Sequence, residues 1–268
     1  MTQAETPLVL RHDDDRGVCT LTLNRPSAFN ALSEELLTAL QTELDNLSRS
    51  PSLRVLVIAA AGKAFCAGHD LRQMRAEPSM DYYQKLFSQC GKMMLSIQKL
   101  QVPVIAKVQG VATAAGCQLV AQCDLAVASS EAKFAVSGVN LGLFCATPSV
   151  ALSRNLSRKA AFEMLVTGDF LNAQDALKQG LINQIAEPHD LDACTENLIV
   201  KILSKPQVAL AMGKELFYMQ LETGIEKAYE YASQTMACNM MDNTALEGVQ
   251  AFIEKRKPSW STSSQRLV

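Results

Sequence analysis

Residues 18–24 alternate, with Cys19, Leu21 and Leu23 on one face, and this predicts a half-buried strand. Ser33 stands where a helix cap is expected. Behind it Leu36, Leu40, Leu44 and Leu47 form one helical stripe that Pro51 closes. Residues 54–60 are almost continuously apolar, as in a strand covered on both faces. Further along, the pattern predicts a helix over 81–101, a buried strand over 103–108, a short buried helix over 116–122, and strands over 124–128 and 133–136. After about Pro148 the pattern turns helical, over 160–167, 173–179, 190–203, 206–221, 225–238 and 244–255. The fold class is therefore α/β: a mixed β/α core over residues 1–200, followed by a helical region over 201–268.

Composition narrows the function classes. The chain has 268 residues, 48% of them hydrophobic and 19% charged, with a formal net charge of −2. Such a balance offers no positive field for nucleic acid or for an anionic membrane surface. The longest apolar runs, such as residues 55–61, are too short to span a bilayer. None of the eight cysteines forms a C-x-x-C pair, which points to a reducing compartment without a disulfide framework. The three histidines are too scattered for a His-based metal site. No secretory or transit segment is visible, so a cytoplasmic protein is expected; the mitochondrial matrix follows instead if a leader was removed.

Two turns of small residues carry the candidate chemistry. The first runs Ala64-Phe65-Cys66-Ala67-Gly68-His69-Asp70-Leu71, the second Gly110-Val111-Ala112-Thr113-Ala114-Ala115-Gly116-Cys117-Gln118. Each follows a strand-like run and leads toward a helix-like one. Gly- and Ala-rich turns leave backbone N–H groups uncovered, so a ligand oxygen can approach them closely. Two such groups aimed at one point would form an oxyanion hole.

With these turns the chain resembles the crotonase superfamily, the enoyl-CoA hydratase/isomerase family. The likeness includes Leu23-Asn24-Arg25-Pro26 with Asn30-Ala31-Leu32, and Phe65-Cys66-Ala67-Gly68-His69-Asp70-Leu71. It continues through Pro103-Val104-Ile105-Ala106 with Gly110 and Gly116-Cys117, then Cys123-Asp124, then the helical section around Leu165 to Leu181. Phe252-Ile253-Glu254-Lys255-Arg256-Lys257-Pro258 resembles the family's C-terminal signature. Six motifs in the correct order make the likeness specific, and it is closest to a hydratase-domain-containing subgroup. The resemblance implies a crotonase-like spiral of ββα units with a C-terminal trimerisation region, and a homotrimer or dimer of trimers. It implies no tightly bound cofactor. It also implies a bent acyl- or enoyl-CoA, as substrate or ligand, whose thioester oxygen meets the amides of His69 and Ala115. The residues that would contact the CoA thioester are Arg25, Ala28, Lys63, Ala67, Gly68, Asp70, Leu71, Gly116, Phe252 and Lys255.

The chain departs from that family at the acid–base positions. Hydratases of this type use two glutamates; here the corresponding residues are Gln118 and Gly138. An amide can orient water but cannot act as a base. Asn140, Ser137, Cys145, Thr147 and the His69 ring are the remaining polar candidates. The His69 ring is either a base or water holder, or an incidental ring whose backbone alone matters. Gln118 is a water-positioner or a satisfied core amide, and Asp70 does chemistry or caps the helix that starts near Leu71. Cys66 and Cys117 read as core thiols, with Cys145 a weaker nucleophile candidate. The cluster Lys255-Arg256-Lys257 is a solvated helix end or part of a phosphate site. Two functions stay open: an enzyme on acyl- or enoyl-CoA with altered acid–base groups, and a non-catalytic acyl-CoA binder.

Overall fold

The computed structural model describes residues 6–76 and 78–260. In chain order it places β1 (Val9–Asp13), β2 (Val18–Leu23), α1 (Glu34–Leu47), β3 (Val55–Ala60), β4 (Ala64–Cys66), α2 (Leu71–Ala76), α3 (Met80–Lys99), β5 (Val104–Val108), β6 (Val111–Thr113) and α4 (Ala115–Gln122). There follow β7 (Leu125–Ser129), β8 (Lys133–Ala135), α5 (Ala146–Asn155), α6 (Arg158–Thr167), β9 (Leu171–Asn172), α7 (Ala173–Gln179), β10 (Gln184–Ala186), α8 (Leu191–Leu203), α9 (Gln207–Leu221), α10 (Ile225–Met240) and α11 (Asn243–Ile253).

Ser33 caps α1 by accepting from the Leu36 amide at 3.3 Å, and the expected stripe of Leu36, Leu40, Leu44 and Leu47 is buried. Burying each such leucine stabilises the fold by roughly 1.5–3 kcal/mol. β3 is buried along nearly its whole length, as its unbroken apolar run requires. The expected strands and helices are present with ends shifted by up to two or three residues. The short strands β1, β4, β6, β9 and β10 and the helix α5 go beyond them. β4 and β6 lie inside the segments read as turns, because three residues of strand leave no periodicity to detect.

The strands form two sheets. One has the order β1-β2-β3-β5-β7-β10, parallel except for β1 with β2; the other has the order β4-β6-β8-β9, parallel except for β8 with β9. The chain visits the first sheet at β3, β5 and β7. Each time it steps directly to the second sheet, at β4, β6 and β8, and then enters a helix. This repeated step is the ββα spiral. Cys66 pairs with Ala112 and Thr113 with Ala135, so β4, β6 and β8 end side by side.

The chain divides into two compact units, one of residues up to Leu100 with Val104–Glu196, the other of Gln101–Pro103 with the segment from Asn197 onward. The expected boundary at 200/201 falls within α8 (Leu191–Leu203), and residues 261–268 of the expected helical region lie outside the described residues. In the second unit α9 and α10 pack against each other and α11 contacts α10. Among the described residues, no helix is long and apolar enough to cross a membrane.

Asn30 ties the entry to the first small-residue turn. It is fully buried at φ 53°; its Oδ1 accepts from the Arg25 amide at 2.8 Å, and its Nδ2 donates to Ala61 O at 2.8 Å and Ala64 O at 2.9 Å. Asn30→Ala removes all three bonds; Ala64 O keeps Gln109 Nε2 at 3.1 Å, while Arg25 N and Ala61 O lose their Asn30 partner, each costing roughly 1–3 kcal/mol when unpaired. The expected result is a loss of about 3 kcal/mol or more, read as a lower urea midpoint at unchanged m-value. A midpoint equal to that of the parent protein would refute this role.

Candidate active site

Three strand ends build the walls of one cavity. Beyond β4 come Ala67 and His69, beyond β6 come Ala114 and Ala115, and beyond β8 come Ser137 and Gly138. Leu71, Met74 and Phe87 close one side, and Leu141, Leu143, Phe144, Cys145, Ala146, Thr147 and Pro148 the other, around about 250 Å³. Ligand clefts commonly form at the carboxyl ends of parallel strands, because the turns there are free to diverge.

The two turns touch. A Cβ on Gly68 would lie 2.8 Å from Ala114 Cβ, 3.0 Å from Thr113 O and 3.2 Å from Ala115 N. Gly68 also sits at φ 90°, a left-handed backbone that favours glycine. A Cβ on Gly116 would fall 2.1 Å from Cys66 O, so α4 starts against the end of β4. Thr113 Oγ1 donates to Ala67 O at 3.0 Å and so joins the two turns, while Ala114 N donates to Ala135 O at 2.9 Å and holds the second turn to β8.

These contacts orient two amides. Leu32 N donates to Gly68 O at 2.7 Å and Asp70 N donates to Leu32 O at 3.2 Å. Extended backbone alternates its direction, so the His69 amide between them points the other way. Ala115 is the first residue of α4, where an N–H has no partner inside the helix. Ala114 precedes it at φ 50°, ψ −120°, a turn geometry that costs an L-alanine roughly 1–3 kcal/mol. Neither amide meets an acceptor among the described residues.

The side chains around them are neutral. Burial pushes the His69 imidazole down to about 4. The ring meets Phe87 edge to face at 5.3 Å, and its Nε2 is buried without a hydrogen-bond partner. Burial pushes the Cys66 and Cys117 thiols up to about 12, which fits core thiols. Burial also raises Cys145, against an opposing hydrogen bond from the Gly138 backbone. Among the described residues, no carboxylate lines the cavity.

The other sequence candidates divide. Asp70 caps α2, its Oδ1 accepting from the amides of Arg72 at 3.0 Å and Gln73 at 3.3 Å. Its Oδ2 pairs with Arg25 Nη1 at 2.7 Å. Burial alone would raise the Asp70 carboxyl; Arg25 and the capping amides outweigh it and hold the group low. Arg25 Nη1 thus serves both Asp70 and Ala31 O. Ala28 ends a short 3-10 turn beside Arg25, and Lys63 is exposed in the loop between β3 and β4. Gln118 is buried but outside the cavity lining, and its Oε1 has no partner. Asn140 is a correction: it is exposed, absent from the lining, and its amide packs over Gly168. The 3-10 turn at Ser137–Leu141 rotates it away from Gly138. In the second unit Phe252 is exposed and Lys255 follows the end of α11, while the neighbouring Arg256 is held by Glu247 and Glu254. Phe87 and Met74 were absent from the sequence candidates. Phe87 precedes the buried Cys90 and Met94 at helical spacing on α3, the one signal that marked it.

The model of the enoyl-CoA hydratase/isomerase family matches residues 13–263. The chain belongs to that family. Among curated relatives of this crotonase-family chain, the enoyl-CoA hydratase domain-containing protein 3, mitochondrial, of Xenopus laevis is 43% identical over 258 residues, 96% of this chain and 87% of the relative. Two crystal structures share the crotonase fold. The enoyl-CoA hydratase of Mycobacterium smegmatis superposes with TM-score 0.94 at 63% identity, over 95% of this chain and 99% of that one. Human enoyl-CoA hydratase domain-containing protein 3 does so with TM-score 0.90 at 42% identity, over 95% and 100%. The expectation of a cytoplasmic protein finds no support among these names, of which the Xenopus one is mitochondrial.

The neutral His69 has a consequence for stability. Its unfolded form takes up a proton below about pH 6.5 and its folded form only near 4. Stability therefore falls as pH drops from about 6.5 toward 4, by at most about 3 kcal/mol from this group. Urea unfolding at pH 7.5 and pH 5 should show a smaller loss in His69→Gln than in the parent. Equal losses, or an NMR titration midpoint near 6.5, would overturn the neutral assignment.

Proposed function

We propose that this family member binds an acyl- or enoyl-CoA thioester with its carbonyl oxygen between the amides of His69 and Ala115. Charge growing on that oxygen as the α-carbon becomes enolate-like would be held by two N–H donors, a contribution typically worth roughly 3–4 kcal/mol per donor. The observation carrying this reading is the contact of Gly68 with Ala114 and Ala115, beside two amides without an acceptor. No metal is needed in this scheme.

The reaction is not ordinary hydration. Positions 118 and 138 hold Gln and Gly, and a Cβ on Gly138 would fall 2.5 Å from Leu143 O and 2.7 Å from Cys145 Sγ. The space a glutamate stem would enter is filled by backbone and by a buried thiol. General acid–base help is worth about 10²–10⁴-fold. Crotonyl-CoA hydration is therefore expected at least a hundredfold below that of glutamate-bearing family members, and Gly138→Glu should not restore it. A wild-type rate within tenfold of theirs would refute this proposal.

A second reading, a non-catalytic acyl-CoA binder, draws on the same absence of cavity carboxylates. Calorimetry with a panel of CoA thioesters, followed by mass spectrometry of the mixtures, separates the two. A new product identifies an enzyme, and tight binding without product identifies a binder. Failure of every thioester to bind more tightly than free CoA would end both readings.

The assembly belonging to this proposal is a homotrimer or dimer of trimers. Exposed apolar side chains on the helical unit, among them Phe217, Ile225, Met236 and Phe252, support self-association. Light scattering that reads a monomer would exclude it. A mitochondrial location agrees with the name of the Xenopus relative, which is mitochondrial.

A further inference from the structure

Resting on the thioester reading above, we infer that the cavity takes an uncharged acyl group, with room beside the thioester for about six carbons, and rejects acyl groups that end in a carboxylate. The length follows from volume. A cavity of about 250 Å³ holds about eight groups the size of a water molecule, whose share of liquid volume is about 30 Å³. A methylene is of similar size, and the thioester fills part of the same space.

The charge preference follows from the walls. Among the described residues, no lysine, arginine, aspartate or glutamate lines the cavity. Leu71, Met74, Phe87, Leu143 and Phe144 are among its apolar lining residues, and the lining residues Ser137 and Thr147 carry neutral hydroxyls. A carboxylate moved from water into such a space loses far more solvation than two neutral donors return. The imidazole of His69 could offset that loss only as a cation, and burial keeps it neutral well below pH 7. The guanidinium of Arg25 is committed to Asp70. Arg72 and Arg75 on α2 are exposed and stand outside the lining.

The test compares hexanoyl-CoA with adipyl-CoA on the wild-type protein by calorimetry, with free CoA as reference. Both acyl groups have six carbons and differ in a terminal methyl against a carboxylate, and both are short enough to end inside the cavity. At pH 7.5 hexanoyl-CoA should bind at least tenfold more tightly than adipyl-CoA. At pH 5, where the adipyl carboxyl begins to protonate, the ratio should shrink at least threefold. A ratio below ten at pH 7.5, or one unchanged at pH 5, would overturn the charge preference while leaving thioester binding intact. If neither thioester binds better than free CoA, the parent reading fails and the preference falls with it.

Discussion

The site depends on backbone meeting backbone at the ends of β4 and β6. Neighbouring strands lie about 4.8 Å apart, and the turns that follow them here come closer still. Any side chain at residue 116 would collide with Cys66 O at 2.1 Å, and one at residue 68 would press on Ala114 and Ala115. Only glycine permits that approach. Because the turns touch, His69 and Ala115, the residue that opens α4, line the same cavity. The positive φ of Ala114 is strain held by the same contacts, since its amide is tied to Ala135 O and the adjacent Thr113 to Ala67 O.

The electrostatic character of the cavity follows from what these turns bring with them. Backbone dipoles provide its polarity, and the side chains around them are apolar or neutral. The charged groups nearby are spent on architecture: Asp70 caps α2 and holds Arg25, which in turn braces Ala31 O. In a low-dielectric space with no competing ions, fixed N–H donors act on a ligand oxygen at greater strength than in water. The same space would cost a buried carboxylate its solvation. Gly138 adds a steric obstacle, because Leu143 O and Cys145 Sγ occupy the room that an acidic side chain would need.

Much of the fold was legible along the chain because its elements are long and regular. The leucines of α1, the apolar run of β3 and the capping Ser33 each carry local energy that periodicity reports. The strands β4 and β6 were not legible as strands, since three residues of small side chains look like a turn until a neighbouring strand hydrogen-bonds to them. At the site, the small-residue turns announced close approach, and Cys145, Ser137 and Thr147 were correctly gathered near the cavity. Asn140 was grouped with them by adjacency in sequence; a 3-10 turn sends it to Gly168 instead. Phe87 and Met74 went unnoticed because their role arises from α2 and α3 lying over the cavity, a long-range fact.

By itself the sequence determined the chemical inventory: two turns rich in Gly and Ala, and Gln118 and Gly138, an amide and a bare backbone. Those are properties of residue type, and they hold whatever the chain does in space. Tertiary structure alone decided which of these groups meet. It tied Arg25 to Asp70, left Gln118 outside the cavity lining, lowered the basicity of His69 by burial, and filled the space beside Gly138. Pairing, desolvation and occupied volume depend on residues distant in sequence, so no local pattern could have set them.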